Sequence, residues 1–100
     1  MTGEHYASGN WHVKEGSEDE FIQRWRAFLT ESTRTAEGFG SARLLRDSDD
    51  PRRFLSFSDW ADTRSREAWK ATSEFEKGLA ACRELCVDFV GSDYSETASV

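Results

Sequence analysis

The sequence predicts an α+β fold of order β-α-β-β-α-α-β, with one four-stranded antiparallel sheet covered by helices. Three observations point there. Segments with strand-like alternation bracket segments with helical apolar spacing. Two of the strands are joined by a turn short enough to make an antiparallel hairpin. And the 100 residues carry four Trp, seven Phe and two Tyr, each able to remove about 150–250 Å² from water. A chain this small buries only about 60–65 % of its unfolded surface. Its aromatics are therefore a dense core, the lining of a cavity or a partner surface.

The first strand is Tyr6–Lys14, ended by the turn Glu15-Gly16. Alternation sets Ala7, Gly9, Trp11 and Val13 on one face and Ser8, Asn10, His12 and Lys14 on the other. A helix begins at Ser17, where Ser17 and Glu20 fit a capping box. Glu18, Asp19 and Glu20 place negative charge at the favourable end of the helix dipole. Phe21, Trp25, Phe28 and Leu29 give this helix an apolar face, and Gly38 stops it.

Phe39–Asp47 and Phe54–Trp60 are the second and third strands, separated by the turn-rich Ser48-Asp49-Asp50-Pro51-Arg52-Arg53. A short helix over Arg64–Ala71 is capped by Asp62 or Thr63. A second capping box, Ser73 with Glu76, opens a helix to about Cys86 or Val87 with the stripe Phe75, Leu79, Cys82, Cys86. Asp88–Ser95 closes the sheet, and Glu96–Val100 is loose or an edge extension. The chain is expected to be a single domain over residues 1–100, with its core at about 6–95. The order is that of the split β-α-β, or ferredoxin-like, arrangement.

Both sheet faces are apolar: Phe54 and Trp60 oppose Leu55 and Phe57, while Phe39 and Leu45 oppose Ala42 and Leu44. A sheet wet on one side shows cleaner alternation. The expected remedy is a second copy on the open face, a homodimer.

Nineteen Asp and Glu stand against thirteen Lys and Arg, without the basic face that nucleic-acid binders show. No nucleic-acid partner is expected. No apolar stretch reaches the roughly 20 residues of a membrane span, so no membrane partner is expected. The polar Met1–Ser8 lacks signal-peptide character, and two cysteines are too few for a disulfide framework. The expected compartment is the cytoplasm.

Trp11-His12-Val13-Lys14-Glu15-Gly16 before an acidic capped helix, Glu37-Gly38-Phe39, and the strand pair Ser41–Asp47 with Phe54–Trp60 resemble the antibiotic biosynthesis monooxygenase family. Ala68-Trp69 followed by Ser73-Glu74-Phe75 completes the resemblance, which covers roughly residues 6–95. It implies a dimeric α/β barrel and a monooxygenase that oxidises a small aromatic, phenolic or quinol-type substrate with dioxygen and no cofactor. The alternative is a non-enzymatic homodimer that binds a hydrophobic metabolite.

Trp69 matches the helical tryptophan that lines the pocket in the family's haem-degrading branch. That branch's functional strand-one asparagine falls on Gly9, leaving Asn10 on the opposite face, and its iron-ligating histidine falls on Leu79. Both departures argue against haem. Gly38-Phe39-Gly40 follows a helix and lacks the third glycine of a dinucleotide site.

The catalytic candidates are Trp69, His12 as a rigidly held proton acceptor, and Arg43 as a partner for an anionic substrate. Each has a structural alternative: a core ring, a hydrogen-bonded interface or surface histidine, a cross-sheet ion pair. Trp60, Trp25, Phe57, Tyr94 and Asn10 are candidates for binding the aromatic ligand. Ser56, Ser58 and Asp59 are strand polars to which the sequence assigns no partner. Cys82 and Cys86 fall four apart on one helical face, more consistent with small buried hydrophobes than with half a metal site. No metal site is expected, and His5 is expected to lie in a mobile tail without a role.

Overall fold

The computed structural model describes residues 4–100; Met1–Gly3, part of the polar amino terminus, lie outside the described residues. The elements are β1 (His5–Val13), α1 (Glu18–Thr35), β2 (Phe39–Arg46), β3 (Arg53–Trp60), α2 (Thr63–Lys70), α3 (Ser73–Arg83) and β4 (Cys86–Ser95). The strands form one antiparallel sheet in the order β2-β3-β1-β4. This is the ferredoxin-like order that the sequence predicts. His5 departs from expectation: it opens β1, paired with Trp60 and Ser95, and is no part of a loose tail.

Pairing arranges the helix-facing side chains in cross-strand rows. Phe39, Trp60 and His5 make one end row with Ser95. Arg46, Phe54, Trp11 and Phe89 make another, large row toward the opposite end. Between them lie Ala42-Ser58-Ala7-Asp93 and Leu44-Ser56-Gly9-Gly91. The sheet is therefore bulky at its ends and shallow in its middle.

Two apolar clusters follow from this pattern. One gathers Trp11, Val13, Phe21, Phe54 and Cys82; the other gathers Ala7, Leu29, Trp60 and Trp69. Trp25 and Phe28 of α1 touch both. Their spacing across one helical turn holds the two ends of the sheet under one roof.

Phe39 sits on the opposite face from the one strict alternation predicts. The register of β2 against β3 shifts between Phe39 and Ala42, so Gly40 and Ser41 together face Asp59, a β-bulge. The Asp59 carboxylate causes it, accepting from both the Ser41 backbone N–H and the Ser41 hydroxyl at 2.7 Å. The extra residue turns Phe39 onto Trp60, with ring centroids 5.1 Å apart. Leu45 remains on the open face with Leu55.

The caps differ as well. Ser17 occupies the N-cap of α1 but its side chain makes no capping bond; acidic residues in the first turn supply the dipole interaction alone. Asp62 caps α2, accepting from the Ser65 N–H at 2.7 Å. That bond holds the Asp62 carboxyl below its ordinary pKa. α3 is capped by Thr72, one residue before the expected Ser73, with its hydroxyl accepting from the Phe75 N–H.

α3 also stops at Arg83, short of the expected Cys86. β1 captures the chain there: the Lys14 N–H donates to the Leu85 carbonyl at 2.8 Å, and Cys86 pairs with Val13. Gly38, at φ +83°, supplies the left-handed turn from α1 into β2 that a side chain would strain.

Burial pushes the Cys82 thiol up to about 12 and the Cys86 thiol up to about 11. Because both folded values lie above that of a free thiol, their protonated forms favour folding below about pH 8.5. That contribution is lost as pH rises through the folded values. The buried Cys82 thiol should cost about 1.4 kcal/mol of stability per pH unit in this alkaline window, and the partly exposed Cys86 less. Urea titrations from pH 8 to 11 should show the decline, with a shallower slope in Cys82→Ala. An unchanged slope would contradict it.

Candidate functional site

The shallow middle of the sheet is the floor of a cavity of about 280 Å³, close to the lower end for small-molecule sites. Ala7 and Gly9 of β1, Ala42 of β2, Ser56 and Ser58 of β3, and Gly91 of β4 make that floor. The small residues come from the two central rows, so the cavity is encoded by register. Trp25, Phe28 and Leu29 of α1, Trp69 of α2, and Phe75 and Leu79 of α3 roof it. Trp11 and Phe89, with centroids 4.3 Å apart, close one end.

The roof is a connected aromatic group. Trp69 stacks on Phe28 at 5.8 Å and 16°, meets Phe75 edge-on at 4.6 Å, and backs onto Trp60 at 4.8 Å. Three of the indoles donate their N–H to a serine hydroxyl at 2.9 Å: Trp11 to Ser56, Trp60 to Ser58 and Trp69 to Ser32. These bonds satisfy donors that would otherwise be stranded in an apolar interior. They also lock the ring orientations.

Charge reaches the cavity at one place. Lys70 and Asp93, the charged lining residues, form an ion pair with each other. Arg66, nearly buried, stands 3.9 Å from Asp93 and donates to the Tyr6 carbonyl at 3.2 Å. The remaining wall is aromatic, aliphatic or hydroxyl.

Trp69, Trp25 and Phe57 are thus brought to the cavity, although Phe57 bounds it from the sheet while its ring meets Tyr6 on the other face. Trp60 is fully buried behind the wall, against Phe39 and Trp69. His12, Asn10, Arg43 and Tyr94 are not among the lining residues. Strand alternation explains each: Asn10 pairs with Leu55 and Val90, Tyr94 with Tyr6, and Arg43 with Phe57, all on the open face. His12 approaches Asp50 at 3.6 Å.

Ser56 and Ser58 carry no sequence motif, and their partners lie 45 and two residues away. The available signal was their place on the strand: alternation puts both on the face of Phe54 and Trp60. Among the described residues no three His, Cys, Asp or Glu side chains gather as a metal site would need.

Gly9 has no room to grow. A Cβ there would lie 2.8 Å from Trp11 Nε1 and 2.9 Å from Phe89 Cε1. Gly9→Ala should force both rings, loosen the Trp11–Ser56 bond and cost about 1–3 kcal/mol. Urea denaturation measures that cost, and a variant as stable as the parent would contradict it.

The antibiotic biosynthesis monooxygenase family pattern matches residues 5–81. A search of the curated proteins returns no match. Among solved structures, SnoaB, a cofactor-independent oxygenase from Streptomyces nogalater, superposes with a TM-score of 0.87 at 19% identity, over 98% of this chain and 97% of that one. A candidate antibiotic biosynthesis monooxygenase from Nitrosomonas europaea gives 0.80 at 21% identity, over 94% and 91%. One from Caulobacter crescentus gives 0.83 at 13%, over 97% and 92%. At these identities the likeness establishes the fold, and the family match covers three quarters of the sequence. The chain belongs to the antibiotic biosynthesis monooxygenase family.

Proposed function

We propose that this chain is a cofactor-independent monooxygenase that oxidises a small aromatic, phenolic or quinol-type substrate in the cavity between sheet and helices. The observation that carries the reading is the floor of small residues beneath an aromatic roof. Core packing alone would fill that space; here two cross-strand rows leave it open to a flat ring.

The chemistry asks little of the protein beyond placement. A substrate carrying an acidic CH₂ between aromatic rings and conjugated through them to a carbonyl loses one proton to become an enolate. Its carbon forms a C–O bond with dioxygen, giving a peroxide anion. Loss of the carbon's remaining proton with cleavage of the O–O bond leaves a carbonyl and hydroxide. Trp25, Trp69 and Phe28 hold the ring and exclude water, which raises the weight of every fixed dipole near the anion. Lys70 and Asp93 mark where the proton and the hydroxide reach solvent.

A second copy is proposed to cover the open face. Leu45, Leu55, Val90 and Tyr94 are exposed there, at 39–56 % of their free surface, and Tyr6 with Phe57 adds an aromatic pair between them. The cavity lies on the other face, so each protomer keeps its own.

One observation favours the alternative of a non-catalytic binder: both histidines, His5 and His12, stand outside the cavity wall. Oxygen uptake decides between the two. Chelator-treated protein given anthrone should consume one dioxygen per anthraquinone formed, faster than buffer alone. Saturable anthrone binding with uptake at the buffer rate would leave a binding protein.

A further inference from the structure

The three indole–serine pairs are alike on the donor side and differ on the serine side. Ser32 accepts from Trp69 and passes its own proton to the Phe28 carbonyl at 3.0 Å, so its hydroxyl is spent. Ser56 accepts from Trp11 and Ser58 from Trp60, but neither hydroxyl donates to any described residue. Ser56 is 7% exposed and Ser58 3%, and both stand on the cavity floor. Each holds one unused O–H donor in an apolar enclosure, where an unmade hydrogen bond is expensive.

We propose that Ser56 and Ser58 are the positioning residues that hold the oxygen atoms of the ligand, which is therefore an aromatic ring system bearing carbonyl, phenol or phenolate oxygen on the edge that faces the sheet. This rests on the cavity being the ligand site, as proposed above, and adds the orientation and the class of ligand. The indoles fix the two oxygens by occupying one lone pair each, which leaves each hydroxyl hydrogen to turn toward whatever enters. Two residues apart on one strand face, the donors are separated by about 6.7 Å along β3. They meet one edge of a fused ring system and leave the opposite edge under Trp25 and Trp69. A hydrocarbon would strand both donors, and selection against a partner that leaves buried polar groups unpaired is strong. Hydrogen bonds there also stabilise negative charge as it forms on a ligand oxygen, the charge that an enolate presents to dioxygen.

The test compares 9-fluorenone with fluorene, rings of the same shape with and without the oxygen, by quenching of tryptophan fluorescence. The parent protein should bind fluorenone more tightly. Fluorenone's single carbonyl can take only one of two donors about 6.7 Å apart. One of Ser56→Ala and Ser58→Ala should therefore weaken its binding about five- to tenfold and the other little, while fluorene changes less than twofold with either. A loss of the indole's acceptor that merely loosened the fold would weaken both probes alike, and that result would overturn the proposal. Infrared spectra need no variant: in the parent, bound fluorenone should show its carbonyl band below its position in hexane. A band at the hexane position would equally overturn it. Should fluorenone and fluorene bind equally well with no serine dependence, the hydroxyl assignment fails while the cavity stands. Should neither bind, both fail.

Discussion

Replacing Trp69 with alanine should destabilise the protein by about 3–5 kcal/mol and abolish binding of aromatic ligands. Trp69 is 7% exposed and its ring touches Phe28, Trp60 and Phe75 at once. It joins α2 to α1, α3 and the end row of the sheet. Deleting it removes a transfer contribution and opens a void that three aromatic neighbours, locked by their own contacts, cannot close. In a domain of 100 residues, whose whole stability is about 5–15 kcal/mol, the loss is a large fraction. Trp69→Phe separates folding from binding. It keeps a ring on Phe28 and strands no donor, because Ser32 still gives its proton to the Phe28 carbonyl. That variant should stay folded within about 1.5 kcal/mol of the parent and bind fluorenone measurably. Urea denaturation with fluorescence quenching reads both quantities. An alanine variant as stable as the parent would show that the roof is not built around this ring.

The second large effect concerns the open face. Light scattering after size exclusion should give the parent twice the 11.4 kDa chain mass, and Leu55→Lys with Val90→Lys should return it to a single chain. Both positions project from the sheet away from the helices, flanking Asn10 on β1. Lysines there would have to be desolvated against a second copy, a cost that several hundred Å² of apolar contact does not repay. The monomeric variant should still bind fluorenone, since neither Leu55 nor Val90 lines the cavity. A parent protein running as one chain would remove the dimer and leave the site intact.

The order of elements was legible because local signals agree at each step: acidic helix starts, Gly38 at the end of α1, and a polar turn between β2 and β3. Two oily sheet faces were also legible, since alternation separates Phe54 from Leu55 without any tertiary knowledge. The same alternation already held Asn10 and His12 apart from Trp11. What escaped was set by contacts distant in sequence. The bulge that turns Phe39 depends on Asp59 reaching Ser41. The end of α3 depends on β1 capturing Leu85 and Cys86.

The cavity floor escaped for a different reason. Ala7, Gly9, Ala42, Ser56, Ser58 and Gly91 are unremarkable singly, and become a feature only when strand register sets them side by side. Likewise nothing in Ser56 or Ser58 announces an indole partner. Each is a small polar residue that the fold turned into an acceptor.

The most direct test is a ¹⁵N–¹H NMR titration of the labelled parent with 9-fluorenone, following the four tryptophan side-chain N–H signals alongside the backbone amides. The indole signals of Trp69 and Trp25 should move in a saturable way, together with the amides of Gly9, Ser56 and Ser58, while those of Leu45, Leu55 and Val90 stay in place. Shifts confined to the Leu45, Leu55 and Val90 amides, with all four indoles unmoved, would mean that the aromatic-roofed hollow is not where this protein takes its ligand.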